Sequence, residues 1–133
     1  MKQSILMGIV FVSGIVLGSM GVQELNATDI VKKPVYLVGE VDVTDIDGYT
    51  KEYSPKVRAT VKAAGGRVVA LGSSEKQDLI ALDGAPAKRV FIQVWNDVDQ
   101  MQSWFNSSDY KEARKIGDKY ATFRHFVVFG APQ

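Results

Sequence analysis

The side chains able to move a proton or wall a small ligand concentrate in the alternating runs of this chain. Tyr36, Glu40 and Asp42 lie in Val35 to Val43, Gln93 and Trp95 lie in Arg89 to Trp95, and Arg67 opens the run between them. Acids beside aromatic walls suit proton transfer on a partly apolar molecule, and an arginine can hold the anion that develops. Period-two alternation puts Tyr36, Val38, Glu40 and Asp42 on one strand face, with Val35, Leu37, Gly39, Val41 and Val43 on the other. In the later run Phe91, Gln93 and Trp95 separate from Val90, Ile92 and Val94. Read as parallel neighbours, the first and third strands bring Tyr36, Glu40, Asp42, Gln93 and Trp95 together, with Arg67 adjoining. Apolar helix stripes are expected to cover the Val/Leu/Ile face and leave this mixed face open. Charges are seldom buried without partners, so an open face of this kind is either a dimer interface or the lining of a ligand pocket.

His125 is the only histidine and cysteine is absent. A zinc site would then need carboxylates for every other ligand, so no metal is expected. His125 joins the candidate set as a proton-transfer group. It stands in a last strand that is apolar on both faces, and alternation leaves its direction open. Asp45, Asp47 and Gly48 match the middle of a calcium loop, but Val43 occupies its first ligand position and Ser54 its last, where a bidentate Glu is needed. Arg124 to Phe129 has the composition of the aromatic strand of RNA-recognition motifs without its Gly-aromatic-Gly core. Lys111, Arg114, Lys115 and Lys119 form a solvated basic face, partly matched by Glu112 and Asp118. No phosphate loop, nucleophile elbow or dinucleotide fingerprint occurs, and no cofactor is expected.

The elements that must position these groups follow a definite order. Val35 to Val43 is a strand. A helix opens at Thr44, with Asp47 three residues on, and carries Ile46, Tyr49, Tyr53, Val57, Val61 and Ala64 on one stripe. Pro55 interrupts that stripe, so a kink or restart is expected with Ser54 as the new cap. Gly65-Gly66 ends the helix. Arg67 to Gly72 is the second strand, with Arg67, Val69 and Leu71 opposite Val68 and Ala70. Leu79 to Leu82 is a short pairing candidate before the Asp83-Gly84 turn. Arg89 to Trp95 is the third strand. Asn96-Asp97 caps a helix with Val98, Met101, Trp104 and Phe105 inward. Asn106 to Ser108 breaks and recaps it, and Tyr110, Ala113, Ile116 and Tyr120 continue the stripe. Thr122 to Phe129 is the last strand. The order βαββαβ over 35–130 is that of a ferredoxin-like sandwich: an α+β fold with four strands and helices on one face.

Ahead of this domain Lys2 is the only charge before Glu24, and Ile5 to Leu17 is apolar apart from Gly and Ser. That layout is the one expected of a secretory signal over residues 1–27, with cleavage after Ala27, or after Gly21 as the alternative, and a linker at 28–34. Gln3 to Gln23 is also long enough to cross a bilayer, so an uncleaved anchor is the alternative; Gly14 and Gly18 would then face a partner helix. Either way the expected location is outside the cytoplasm, periplasmic or secreted, with a membrane partner only if the leader stays. Of 133 residues about 100 remain to fold, enough for one domain. The whole chain carries a net charge of +1, and removing Lys2 and Glu24 leaves that unchanged. Near-neutrality argues against nucleic acid as a partner.

Tyr36-Leu-Val-Gly-Glu-Val-Asp-Val-Thr-Asp45, Tyr49 and Tyr53, Gly65-Gly66-Arg67, Leu82-Asp83-Gly84, Trp104-Phe-Asn-Ser-Ser-Asp-Tyr110, Ala113, Arg124 and Gly130 together resemble the small bacterial family called domain of unknown function 1330. The resemblance covers about residues 34 to 130. Gln23-Glu-Leu-Asn-Ala27 is similar to a segment that members with a leader place before the domain. The resemblance implies a ferredoxin-like fold of the dimeric α+β barrel type, with an antiparallel four-stranded sheet and a second copy as partner. It supplies no reaction. Members often carry an arginine where this chain has Gly117, so a site served by that arginine is altered here.

The leading expectation is an exported homodimer that binds a small molecule or acts as an accessory module. A cofactor-free enzyme of oxygenase or isomerase type is the rival, with Glu40, Asp42 or His125 transferring the proton, Arg67 stabilising an anion, and Tyr36 with Trp95 as walls. A purely structural interaction domain is the third. An enclosed cavity holding a titratable group with a shifted pKa favours the enzyme, and a filled sheet face favours the interaction module.

Overall fold

The computed structural model describes residues 33–132. The leader and all but the end of the linker lie outside the described residues.

Strand β1 (Val35–Val43) leads through a two-residue connection into helix α1 (residues 46–63). Asp45, not Thr44, is the cap: its carboxylate accepts from the Gly48 N–H at 3.0 Å, while the Thr44 hydroxyl donates to the Tyr120 carbonyl at 3.0 Å. Helix α1 does not restart at Pro55. It runs through a π-helical turn, Tyr49–Tyr53, into Ser54–Ala63, and Ser54 is helical with no side-chain cap. A proline ring collides with the carbonyl four residues before it and lacks an N–H to bond there. The wide turn, in which the Ser54 N–H reaches the Tyr49 carbonyl, absorbs that conflict without breaking the helix. Gly65, at φ +88°, closes α1 as expected.

Strand β2 (Arg67–Ser73), the single 3₁₀ turn Ser74–Lys76, β3 (Arg89–Trp95), α2 (Val98–Phe105), α3 (Ser108–Gly117) and β4 (Ala121–Phe129) complete the fold. Leu79 to Leu82 forms no strand; Ile80 and Leu82 stand exposed in the loop before β3. Asp97 and Ser107 cap α2 and α3 through bonds to the backbone N–H groups of Gln100 and Tyr110.

The sheet order is β2-β3-β1-β4. β1 and β3 are neighbours but run antiparallel, not parallel. The crossover through α1 sets β1 and β2 in the same direction with a gap for one strand, and β3, returning from β2, fills the gap in the opposite sense. Both helices of the βαββαβ order pack on one face, giving a ferredoxin-like α+β fold.

Register assigns the faces. Val35 pairs with Trp95, Leu37 with Gln93 and Gly39 with Phe91, so these residues of β3 share the helix-covered face with the apolar residues of β1. Val90, Ile92 and Val94 therefore lie on the uncovered face, the reverse of the expectation. Both faces of β3 are largely apolar, so alternation alone could not orient it. Volume decides: the gap under the helices takes the larger rings, and Trp95, buried with Val35, Leu37, Val61, Met101, Trp104 and Tyr110, is 1% exposed. Rings of that size each remove about 150–250 Å² from water, on the order of 4–6 kcal/mol before entropy is charged. In β2 a bulge between Val68 and Ala70 breaks strict alternation, so Val68 and Leu71 come to the same face.

Candidate functional site

The sheet divides the expected site residues. Tyr36, Glu40 and Asp42 lie on the uncovered face, and Arg67 joins them by pairing with Val94. Gln93, Trp95 and His125 lie on the helix face, His125 opposite Gly39 on β1. The two carboxylates of the uncovered face are already matched within the chain. Glu40 meets Arg124 at 3.4 Å and Asp42 meets Lys88 at 2.7 Å. Around them Tyr36, Val38, Ile92, Val94, Phe126 and Val128 make an apolar surface.

Between sheet and helices lies a cavity of about 390 Å³, within the range of small-molecule sites. Helix α1 supplies Tyr49, Tyr53, Val57 and Arg58 to its wall, the sheet supplies Phe91, Gln93 and His125, and α2 and α3 supply Trp104 and Tyr110. The π-helical turn sets Tyr49 and Tyr53 facing inward with ring centroids 5.2 Å apart. On the sheet, a Cβ at Gly39 would fall 2.1 Å from the Phe91 ring, so only glycine lets that ring lie down on β1. Gly117 has a similar role. A Cβ there would sit 2.7 Å from the Tyr53 ring.

Gln93 is 4% exposed, and its Oε1 accepts from the Trp95 indole N–H at 3.2 Å. Indole only donates, so this bond fixes the amide orientation and leaves the Nε2 amino group for the cavity. Trp95 does not touch the cavity; it is a positioning residue for Gln93. The Trp104 indole is held similarly, donating to the Thr60 hydroxyl at 3.0 Å.

His125 lies between the rings of Phe91, Phe105 and Phe123 at 5.6 to 5.9 Å. Burial, with help from the Arg114 charge, pushes its pKa down to about 4. The imidazole is therefore neutral at pH 7, one nitrogen a donor and the other an acceptor. Neither nitrogen bonds to another described residue. Burial raises the Tyr53 and Tyr110 hydroxyls, so they too stay neutral. Tyr110 accepts from Arg114 at 3.3 Å, and Arg114 is anchored by Asp118 at 2.7 Å and stacks over Phe123 at 4.1 Å. Among the described residues no three His, Asp or Glu side chains come together as a metal site. The cavity can thus enclose an apolar body, donate to it from Gln93, and either give or take a hydrogen bond at His125.

Of the residues singled out in the sequence, Gln93 and His125 line this cavity; the rest of its wall was not among them. Tyr49 and Tyr53 were visible as a helical stripe, and Trp104 and Tyr110 as inward residues, but nothing in the spacing separates a cavity wall from a filled core.

The profile of a family described as a domain of unknown function, DUF1330, matches residues 34–131. The chain belongs to the DUF1330 family. No functionally curated protein matches it. Among solved structures, the DUF1330 domain is similar to a protein of unknown function from Rhodopseudomonas palustris at 17% identity, with 77% of this chain and 85% of that one covered and a TM-score of 0.62. It is similar at 18% identity to SnoaB, a cofactor-independent oxygenase from Streptomyces nogalater, with 76% and 95% covered and a TM-score of 0.54. A dimeric protein of unknown function and ferredoxin-like fold from Bacteroides fragilis aligns at 9% identity over 75% and 99%, TM-score 0.50. At these identities the likeness is one of fold.

Proposed function

We propose that this DUF1330 domain is an exported homodimer that binds a small, largely apolar molecule in the cavity between its sheet and its helices. The observation that carries the reading is an aromatic cavity of about 390 Å³ with a buried amide donor and an unpartnered neutral imidazole in its wall. Export rests on the leader, with Lys2, the apolar run and Ala27. Dimerisation rests on the uncovered sheet face, where Tyr36, Phe126 and Val128 are 36%, 39% and 51% exposed. A contiguous apolar face of that kind is a liability on a monomer, and a second copy would cover it around a two-fold axis. The Bacteroides fragilis protein of this fold is described as dimeric, which supports a dimer here.

Glu40, Asp42, Arg67 and Tyr36 have no part in the ligand site under this reading. They belong to the face that meets the partner. Native mass spectrometry of the protein from its own cells tests both halves: two chains with a retained small molecule are expected. Val57→Trp, which fills the cavity, should release the molecule and keep the dimer. Retention in that variant, or a bare monomer in the wild type, would overturn the corresponding half.

A cofactor-free enzyme of oxygenase or isomerase type is the second reading, favoured by His125. A neutral imidazole in the cavity wall without a protein partner can accept a proton from a bound substrate, and its lowered pKa restricts it to protons that are themselves acidic. SnoaB, of similar fold, is such an oxygenase. In that case His125→Gln would abolish turnover of the retained molecule while leaving it bound.

A further inference from the structure

The charges around the helix-side cavity are one-sided. Arg58 and Arg89 line it, and no Asp or Glu does. The ion pairs of the described residues use Lys88, Arg114 and Arg124, so neither of these two guanidiniums has a carboxylate partner among them. Both act on one place. Burial raises the Tyr49 hydroxyl pKa, and the Arg89 and Arg58 charges each oppose it. Arg89 stands with its Cζ 5.0 Å from the Tyr49 ring centroid. Arg58 is exposed and Arg89 half-buried, and Val68 and Leu71 beside them are 47% and 54% exposed. The positive charge thus marks the open end.

The inner end has the opposite character. Tyr53, Trp104 and Tyr110 are buried there, Phe91 lies over Gly39, and His125 is held neutral. A cationic ligand would meet two like charges and no counter-charge. A neutral one would leave both guanidiniums unused. Guanidinium binds planar oxyanions through paired N–H donors, and flat aromatic walls accept flat rings.

We propose that the cavity selects a small aromatic carboxylate, its charge held by Arg58 and Arg89 beside Tyr49 and its ring seated among Tyr53, Phe91 and Trp104. This inference rests on the cavity being a ligand site. A volume of about 390 Å³ equals roughly a dozen water molecules at about 30 Å³ each, room for one or two fused rings.

Two probes that differ in charge and little in shape test it, 2-naphthoate and 2-naphthamide, each titrated calorimetrically into the dimer. The wild type should bind the carboxylate about tenfold or more tightly than the amide. The Arg58→Gln/Arg89→Gln double variant should lose that preference and keep its affinity for the amide. Arg58→Lys/Arg89→Lys, which keeps the charge and loses the planar fork, should retain part of it. Equal affinities in the wild type would overturn the anion selectivity and leave the cavity standing as a neutral-ligand site. Failure of both probes at millimolar concentration would overturn the cavity reading and this inference with it.

Discussion

Gln93 and His125 reach the same cavity by different routes, one fixed by a bond and the other by sterics. The Trp95 indole holds Gln93 from behind, so Trp95 belongs to the fold and not to the ligand. Trp95→Ala should cost about 3–5 kcal/mol in a denaturation midpoint, as expected for a buried ring. For His125 the sign of its pH effect follows from burial. Its folded pKa, about 4, lies below the ordinary value of about 6.5, so the unfolded chain binds the proton more readily. The stabilisation is complete above about pH 6.5 and is lost as pH falls toward 4. Since the ring is partly open to the cavity, the loss should be on the order of 2 kcal/mol, discounted for solvent screening. The stability of the wild type relative to His125→Gln should fall by that amount between pH 7 and pH 4. The imidazole Cε1 proton, free of overlap from any second histidine, should titrate near pH 4; a midpoint near 6.5 would mean the ring is solvated.

At the scale of elements, two local devices shape the cavity: the wide turn forced by Pro55 and the bare backbone at Gly39. Gly39→Ala should drive the Phe91 ring off β1 and into the cavity. We expect a loss of about 1–3 kcal/mol from overpacking, together with loss of 2-naphthoate binding in the same calorimetric titration. Unchanged affinity would show that Phe91 has other room to move. Strand and helix boundaries were legible in the sequence because alternation, the Asp97 and Ser107 caps and Gly65 act locally. What escaped was decided at longer range. The direction of β3 follows from the crossover geometry of α1, its buried face from the volume that only Phe91 and Trp95 can fill, and the inner face of β2 from a bulge. The π-turn was signalled by Pro55, but sequence cannot distinguish a broken helix from a widened one.

For the whole molecule, the proposed function gives the uncovered sheet face and the helix-side cavity separate tasks. In the proposed dimer Val38, Ile92 and Phe126 would meet the second copy, and the lining of the cavity would hold the ligand. Ile92→Asp puts a charge in the middle of the uncovered face. It should convert the dimer to a monomer in light scattering at micromolar concentration, and leave the Tyr53, Phe91 and Trp104 environment intact. A dimer that survives this substitution would place the interface elsewhere. The division of labour itself is tested most directly by isotope-filtered nuclear Overhauser spectra of the dimer with 2-naphthamide, whose binding does not depend on charge. Cross-peaks from the naphthalene ring to Tyr53, Phe91, Trp104 and His125 are the expected result; cross-peaks to Tyr36, Phe126 and Val128 instead would contradict a ligand site beneath the helices.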